Sequence, residues 1–484
     1  MAQKNIKVIA GVFFLFIYCF AFQGYRGLFE PDEGRYSAVA LQMIKSHDWI
    51  IPRTHPDHEH WTKPPLTYWA IAGSILTFGK SEFAVRFPNA LSFLICIIAC
   101  FHIGKMFTPK RPWVVALVFG TFLFPATVCN GATTDYPVTM WETLAVCFFA
   151  HAYWGKSSNR QHIYSWFMWI FFGLAFLTKG PPGILPLFSI IIFLQLQCSK
   201  MRNFNMRWLG GLLIMIIIGG SWYFAVIIRK PELVRYFLWD EMVLRLFTGH
   251  HQRHFQWYAF LYIYFPVLAL GTLPWSFYAG KGFIKLLKIA RDNIRSDFNE
   301  GHSKYLFLML WIFIPLIIFI LSKSNLPLYV LPLFVPLAVI TAMEIEHSKI
   351  PLNNLRYRIA LWCVFLVVVR LFMGTLTFRK DSSKFAEKIK NLYPRAVEEI
   401  VFANTRQALG LQFYTGADIG RVSFEYSDLK NKFKEARTRL WIVTEPDKDR
   451  FHYEMQMHDV DMIELGPIEA WKNYVLFREI SDSI

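Results

Sequence analysis

The sequence predicts an all-α polytopic membrane protein of about eleven transmembrane helices, with juxtamembrane helices in its first outer loop and a small C-terminal α/β soluble domain. Three observations predict it. The chain has 484 residues, 54% of them hydrophobic and 47 of them phenylalanine, more apolar surface than soluble domains usually bury. Apolar runs recur along residues 1–378, and Lys and Arg gather in alternate short gaps between them. From residue 379 to 484 the charge rises and no membrane run remains.

The basic gaps account for the net charge of +16. Lys and Arg held in short loops mark the cytoplasmic side of a membrane, so membrane lipids are the expected surroundings and nucleic acid is not a partner. The seven cysteines, Cys19, Cys96, Cys100, Cys129, Cys147, Cys198 and Cys363, lie in or beside apolar segments without a Cys-x-x-Cys pair. They read as core packing, with neither a disulfide framework nor a zinc site.

Lys4 and Lys7 precede the first apolar run, Val8 to Phe22, and place the N-terminus in the cytoplasm. The run lacks a small-residue cleavage site and reads as a retained anchor. A hydrophilic loop follows and, with the interfacial segment after it, spans residues 24–82. Glu33 to Ile44 reads as a juxtamembrane helix that Asp32 caps. Pro65 to Phe78 is too short to cross and reads as interfacial or re-entrant.

Further crossings are expected at Phe83 to Ile103, Pro112 to Cys129, Val138 to Trp154, His162 to Leu177, Ile184 to Gln197 and Trp208 to Ile228. Trp257 to Tyr278, Tyr305 to Leu321, Leu326 to Met343 and Leu361 to Phe378 complete the set. In the C-terminal segment Val422-Ser423-Phe424 and Leu440 to Val443 read as strands, and Lys384 to Leu392 and Lys430 to Ala436 as helices.

This alternation delivers the lone charged residues to one outer face: Asp32, Glu33, Arg35, Lys63, Asp135, Lys179, Arg245, Arg253 and Lys323. Such a set suits a reaction with an anionic leaving group and an acceptor to be oriented or deprotonated. A carboxylate serves as general base, while Lys and Arg stabilise charge developing on a departing phosphate. Asp135 also stands where it would cap the next helix. The run Thr248 to Tyr258 carries His250, His251 and His254 beside Trp257 and Tyr258. Its spacing fits no standard zinc pattern and reads as interfacial anchoring.

The ordered set Pro31-Asp32-Glu33-Gly34-Arg35-Tyr36, Asp48-Trp49, Lys63-Pro64-Pro65, Arg86-Phe87-Pro88, Asp135, Lys179-Gly180-Pro181, Gly271-Thr272-Leu273-Pro274-Trp275 and Ser322 to Pro332 resembles C-type (GT-C) membrane glycosyltransferases. The nearest branches are the lipid A aminoarabinose transferases and the protein O-mannosyltransferases. The resemblance covers roughly residues 5–345.

It implies inverting transfer of a sugar from a polyprenyl-phosphate donor, at the periplasmic face of a bacterial inner membrane, to a lipid A-like or protein acceptor. The implied catalytic carboxylates are Asp32, Glu33 and Asp135. Lys63, Arg253, Tyr329 and Lys179 would hold the donor phosphate, and Arg35, Tyr36, Arg245 and Lys323 would line the acceptor side or cavity. The resemblance fixes no cofactor, and a divalent cation stays an open alternative. One departure stands out: the aminoarabinose branch carries an acidic residue before Lys-Pro, and here that position is Thr62. A flippase for the same lipid-linked sugar is the rival from another class.

Overall fold

The computed structural model describes residues 11, 13–155, 160–197, 206–237, 239, 256, 258–293, 300–322, 324–348, 351–375, 380–433, 437–470 and 472–479. Two compact units emerge. The first comprises Met1–Phe22, Thr62–Thr67 and Phe87–Arg370; the second comprises Gln23–Trp61, Tyr68–Arg86 and Leu371–Ile484. The fold therefore draws the division differently from a cut at residue 378. The first long loop falls in one unit with the C-terminal segment, where its buried Glu30 finds Ser382 and Gly410.

The first unit is helical. Among the described residues five helices are long and apolar enough to cross a membrane: Glu82–Phe107, Trp208–Arg229, Gly301–Leu321, Pro327–His347 and Asn354–Thr375. A sixth is counted if Ala259–Gly271 and Ser276–Ile289, bent by 113° at their break, form one span. Several expected crossings are shorter or more polar than their runs suggested. Leu185–Leu196 has 12 residues after a 3-10 turn at Pro181–Ile184. Asp135–Trp154 and Gln161–Lys179 are long helices that carry buried polar side chains.

Two expected continuous spans are broken. Pro112 to Cys129 folds as Trp113–Thr121 and Leu123–Val128 around an extended Phe122. Trp257 to Tyr278 turns at Thr272–Trp275. Broken helices free backbone groups that an apolar setting cannot solvate, so neighbours must satisfy them. Here the breaks satisfy one another. The Leu123 amide donates to the Leu273 carbonyl at 2.9 Å, and the Trp275 indole donates to Thr121 Oγ1 at 2.8 Å. The Trp362 indole reaches the Thr121 carbonyl at 2.8 Å. The buried Arg370 guanidinium donates to the Ala126 carbonyl at 3.1 and 2.6 Å and to the Tyr18 carbonyl.

In the second unit, helix Asp32–Ser46 starts directly after Pro31. The expected cap by Asp32 is absent: Pro31 is the N-cap and no side chain caps it. Likewise Thr134, not Asp135, precedes helix Asp135–Trp154, again without a side-chain cap. Both carboxylates are engaged by cations instead. A hairpin of β1 (Arg53–His55) and β2 (His58–Glu59) follows the first of these helices.

The C-terminal segment forms a sheet of β3 (Glu399–Ala403), β4 (Asp418–Val422), β5 (Arg439–Thr444), β6 (Met462–Glu469) and β7 (Asn473–Glu479), in the order β4-β3-β5-β7-β6. The first three are parallel and the last two antiparallel. Apolar side chains cover both faces: Phe385, Ile389 and Tyr474 on one, Leu429, Phe451 and Phe477 on the other. The strand expected at 422–424 begins instead at Asp418. Its polar and glycine residues hide the strand signal because they serve contacts: Asp418 accepts from Gln42 and Lys45, and a Cβ on Gly420 would lie 2.5 Å from Glu399 Oε1.

Polar bonds join the outer loop to this sheet. The Glu30 amide donates to the Lys380 carbonyl at 3.0 Å and the Ser382 amide to the Leu28 carbonyl at 2.9 Å. The Glu30 carboxylate accepts from Ser382 Oγ at 3.0 Å and from the Gly410 amide at 2.5 Å. The Leu28 amide reaches the Tyr414 hydroxyl, which donates to Glu82 at 3.0 Å. Glu399 of β3 meets His55 at 3.2 Å, Lys432 at 2.5 Å and Arg439 at 2.9 Å. A Cβ on Gly34 would come within 2.2 Å of Glu30 and 2.6 Å of the Gly410 amide, so glycine lets the helix after Pro31 approach the Gly410 turn this closely.

Burial pushes the Glu30 carboxyl up to about 7, against the pull of its two hydrogen bonds and of Arg406 and Arg35. A carboxyl raised on folding favours the folded junction while protonated, and that contribution fades as pH rises through the folded value. Hydrogen exchange at the Glu30 and Ser382 amides, corrected for intrinsic rate, is expected to accelerate between about pH 4.5 and about pH 7. Glu30→Gln should remove that dependence.

Candidate active site

The adjacent carboxylates of the Pro31-Asp32-Glu33 motif have opposite surroundings. Glu33 points inward, its side chain 5% exposed. Arg26 binds it at 2.6 and 3.3 Å, and Arg86 at 2.7 and 3.0 Å. The Phe29 amide adds a bond at 2.8 Å. The remaining Arg86 donors go to the carbonyls of Gln23, Arg26 and Gly27, each within 2.9 Å. Burial alone would raise the Glu33 carboxyl; Arg86 and Arg26 overcome it and hold the group down at about 2. Glu33, expected among the catalytic carboxylates, is thus a permanently charged brace with its lone pairs occupied.

Asp32 faces the other way, its side chain 45% exposed, with Arg35 Nη2 at 2.7 Å one turn on. Arg35 lies 5.4 Å from the Tyr36 ring centroid, and Tyr36 packs on Tyr68 with centroids 5.5 Å apart. Its Nε is buried without a hydrogen-bond acceptor. Asp32 is therefore an accessible carboxylate steadied by one guanidinium, able to accept a proton or orient a ligand.

The first unit holds a second cluster. Lys179 and Asp135 form a buried ion pair at 2.5 Å, and Lys179 Nζ stands 4.7 Å from the Tyr329 ring centroid. Lys179 closes helix Gln161–Lys179, where Gly180 adopts φ 72° and turns the chain into Pro181–Ile184. Tyr329 sits in the 3-10 helix Pro327–Leu333. The resemblance implied separate roles for them, Asp135 catalytic and Lys179 and Tyr329 on the donor phosphate; the structure places Lys179 in contact with both of the others. Lys63 lies in the same unit, half-buried. Arg245, Arg253 and Lys323 fall outside the described residues. Thr62 carries a neutral hydroxyl, and among the described residues no three His, Cys, Asp or Glu side chains gather as metal ligands.

Sequence reading missed the brace cations and two buried membrane-unit charges. Arg86 stood in the quoted Arg86-Phe87-Pro88, and its signal was an arginine opening an apolar run, where an unpaired charge is untenable. Arg370 and Glu142 carried the same signal inside their runs. Arg26 had none.

Known proteins share both sequence and fold with this chain. The dolichyl-phosphate-mannose-protein mannosyltransferase family profile matches residues 62–224. An undecaprenyl phosphate-α-4-amino-4-deoxy-L-arabinose arabinosyl transferase of Shewanella sediminis is 30% identical over 391 residues, covering 78% of this chain and 68% of the relative. The enzyme of the same name from Photorhabdus laumondii is 27% identical over 385 residues, 77% of this chain and 66% of its own length. The crystal structure of ArnT from Cupriavidus metallidurans bound to undecaprenyl phosphate superposes with a TM-score of 0.79 at 18% identity, covering 99% of this chain and 98% of that one.

The profile match and the two sequence relatives, on a helical membrane fold, make this a GT-C membrane glycosyltransferase. The chain belongs to the family of undecaprenyl phosphate-α-4-amino-4-deoxy-L-arabinose arabinosyl transferases. It spans about two thirds of the length of these two relatives.

The two motif carboxylates should separate in stability measurements. Glu33→Gln leaves Arg26 and Arg86 buried without their counter-ion and should cost about 3 kcal/mol, read as a lowered Tm of the detergent-solubilised protein. Asp32→Asn loses only a part-exposed pair, about 0–1 kcal/mol, and should unfold close to wild type.

Proposed function

We propose that this protein transfers 4-amino-4-deoxy-L-arabinose from undecaprenyl phosphate to lipid A at the periplasmic face of the inner membrane. Further crossings, Asp135–Trp154 and Gln161–Lys179 among them, bring the total to about eleven, with the N-terminus cytoplasmic and the C-terminal domain periplasmic.

The observation that carries the reading is the unequal treatment of Asp32 and Glu33. One carboxylate is spent inside the fold and its neighbour is left accessible. In the transfer, an acceptor oxygen attacks the anomeric carbon as the bond from that carbon to the donor phosphate oxygen breaks, inverting the centre. Undecaprenyl phosphate departs with the charge. Lys63, Lys179, Tyr329 and Arg253 meet that phosphate, and their cations stabilise the charge as it develops. Asp135 keeps the Lys179 ammonium in place. Arg35, Tyr36, Arg245 and Lys323 line the acceptor side.

An acceptor phosphate is already ionised, so Asp32 orients it and need not take a proton; a hydroxyl acceptor needs a base. Mass spectrometry of lipid A from cells with and without the protein tests the proposal. The aminoarabinose-bearing species should appear only with it, and an unchanged spectrum would redirect the search to a protein or polysaccharide acceptor. In a reconstituted assay, Asp32→Asn should keep measurable transfer to a phosphate acceptor while abolishing transfer to a hydroxyl one. Equal loss with both would remove the orienting role.

A further inference from the structure

Glu142 has no task in the chemistry above. It lies about two turns after Asp135 on helix Asp135–Trp154, so the two carboxylates share one face of the helix, about 10 Å apart along its axis. Its surroundings have closed over it, with 4% of the residue exposed. Among the described residues no hydrogen bond or ion pair holds its carboxylate. The Lys179 ammonium is bonded to Asp135 and faces Tyr329. The adjacent hydroxyls turn away: Thr139 donates to the Asp135 carbonyl at 2.7 Å and Thr143 to the Thr139 carbonyl at 2.6 Å.

An acid with no donor inside a membrane unit is costly, and ionisable groups kept there serve ligands or transport paths. The residues around Glu142 therefore leave its carboxyl to be met by a donor from outside the fold. Its two-turn offset from the Asp135–Lys179 pair is on the scale of one sugar ring and its linking phosphate. The donor sugar named in this family bears an amine, which is a cation at neutral pH.

We infer that Glu142 is a binding residue for the ammonium group of the donor sugar and selects amino sugars over neutral ones. The inference rests on the transfer proposed above. Charge-assisted hydrogen bonds of this type are strong in a dry site, and a neutral sugar would leave the carboxylate unpaired, which is how buried polar groups reject a wrong substrate.

The test uses the full-length protein in proteoliposomes with two donors, undecaprenyl phosphate-4-amino-4-deoxy-L-arabinose and its N-acetyl derivative. Wild type should prefer the free amine by about tenfold or more in kcat/KM. Glu142→Gln should erase most of that preference and Glu142→Asp should restore part of it. Both donors are measured on one preparation, so a smaller folded fraction cancels from the ratio. A preference kept intact in Glu142→Gln, or absent from wild type, overturns the inference alone. Wild type inactive with both donors overturns the transfer proposal and this inference with it.

Discussion

A charge removed from water must be matched within the fold, and that constraint governs the placement of nearly every polar side chain described here. Taking an ion into a low-dielectric interior costs several kcal/mol, recovered only when geometry and hydrogen bonds are complete. The Glu33 site meets this in full: two guanidinium groups and a backbone amide serve one carboxylate, and the spare Arg86 donors close on three carbonyls. The arrangement fixes the turn from which Asp32 projects. Asp32 is therefore presented by a neighbour whose own carboxylate is occupied inside the fold.

The same constraint explains the helix breaks. A kinked span exposes carbonyls that lipid cannot solvate, and Arg370 is buried beside the break at Phe122 with its guanidinium on the Ala126 carbonyl. The motif Gly271-Thr272-Leu273-Pro274-Trp275 is the complementary half. It is a turn whose carbonyl and indole serve the other break, and a Cβ on Gly271 would meet Phe124 and Phe334 at 2.7 Å. These residues shape the membrane unit and need no part in the chemistry.

The membrane class, the helix after Pro31, the short apolar helix Leu66–Phe78 and the core strand β5 were legible because apolar periodicity and run length are properties of single segments. The Asp135–Lys179–Tyr329 contact was not foreseen, since nothing local links helices so far apart in the chain and the resemblance gave the three residues separate roles. The breaks at Phe122 and Thr272–Trp275 carried local signals, Gly120-Thr121 and Pro125 in one run and Gly271-Thr272 and Pro274 in the other, which a reading by run length alone passed over. The start of β4 was hidden for the opposite reason, its strand signal being diluted by residues that serve contacts. The capping role expected of Asp32 and Asp135 failed on energetics, because a cation within reach outbids a backbone amide for a carboxylate.

The pairing of the outer loop with the C-terminal sheet was the least legible feature and it changes how the chain is divided. Glu30, Gln42, Lys45 and His55 look in sequence like ordinary loop polar residues. Each is matched to a residue beyond position 380: Ser382 and Gly410, Asp418, or Glu399. Buried hydrogen bonds of this number cannot form piecemeal, since each half-made network would leave polar atoms unsatisfied. The motif turn and the α/β sheet therefore order together, and the C-terminal segment is part of the structure that presents Asp32.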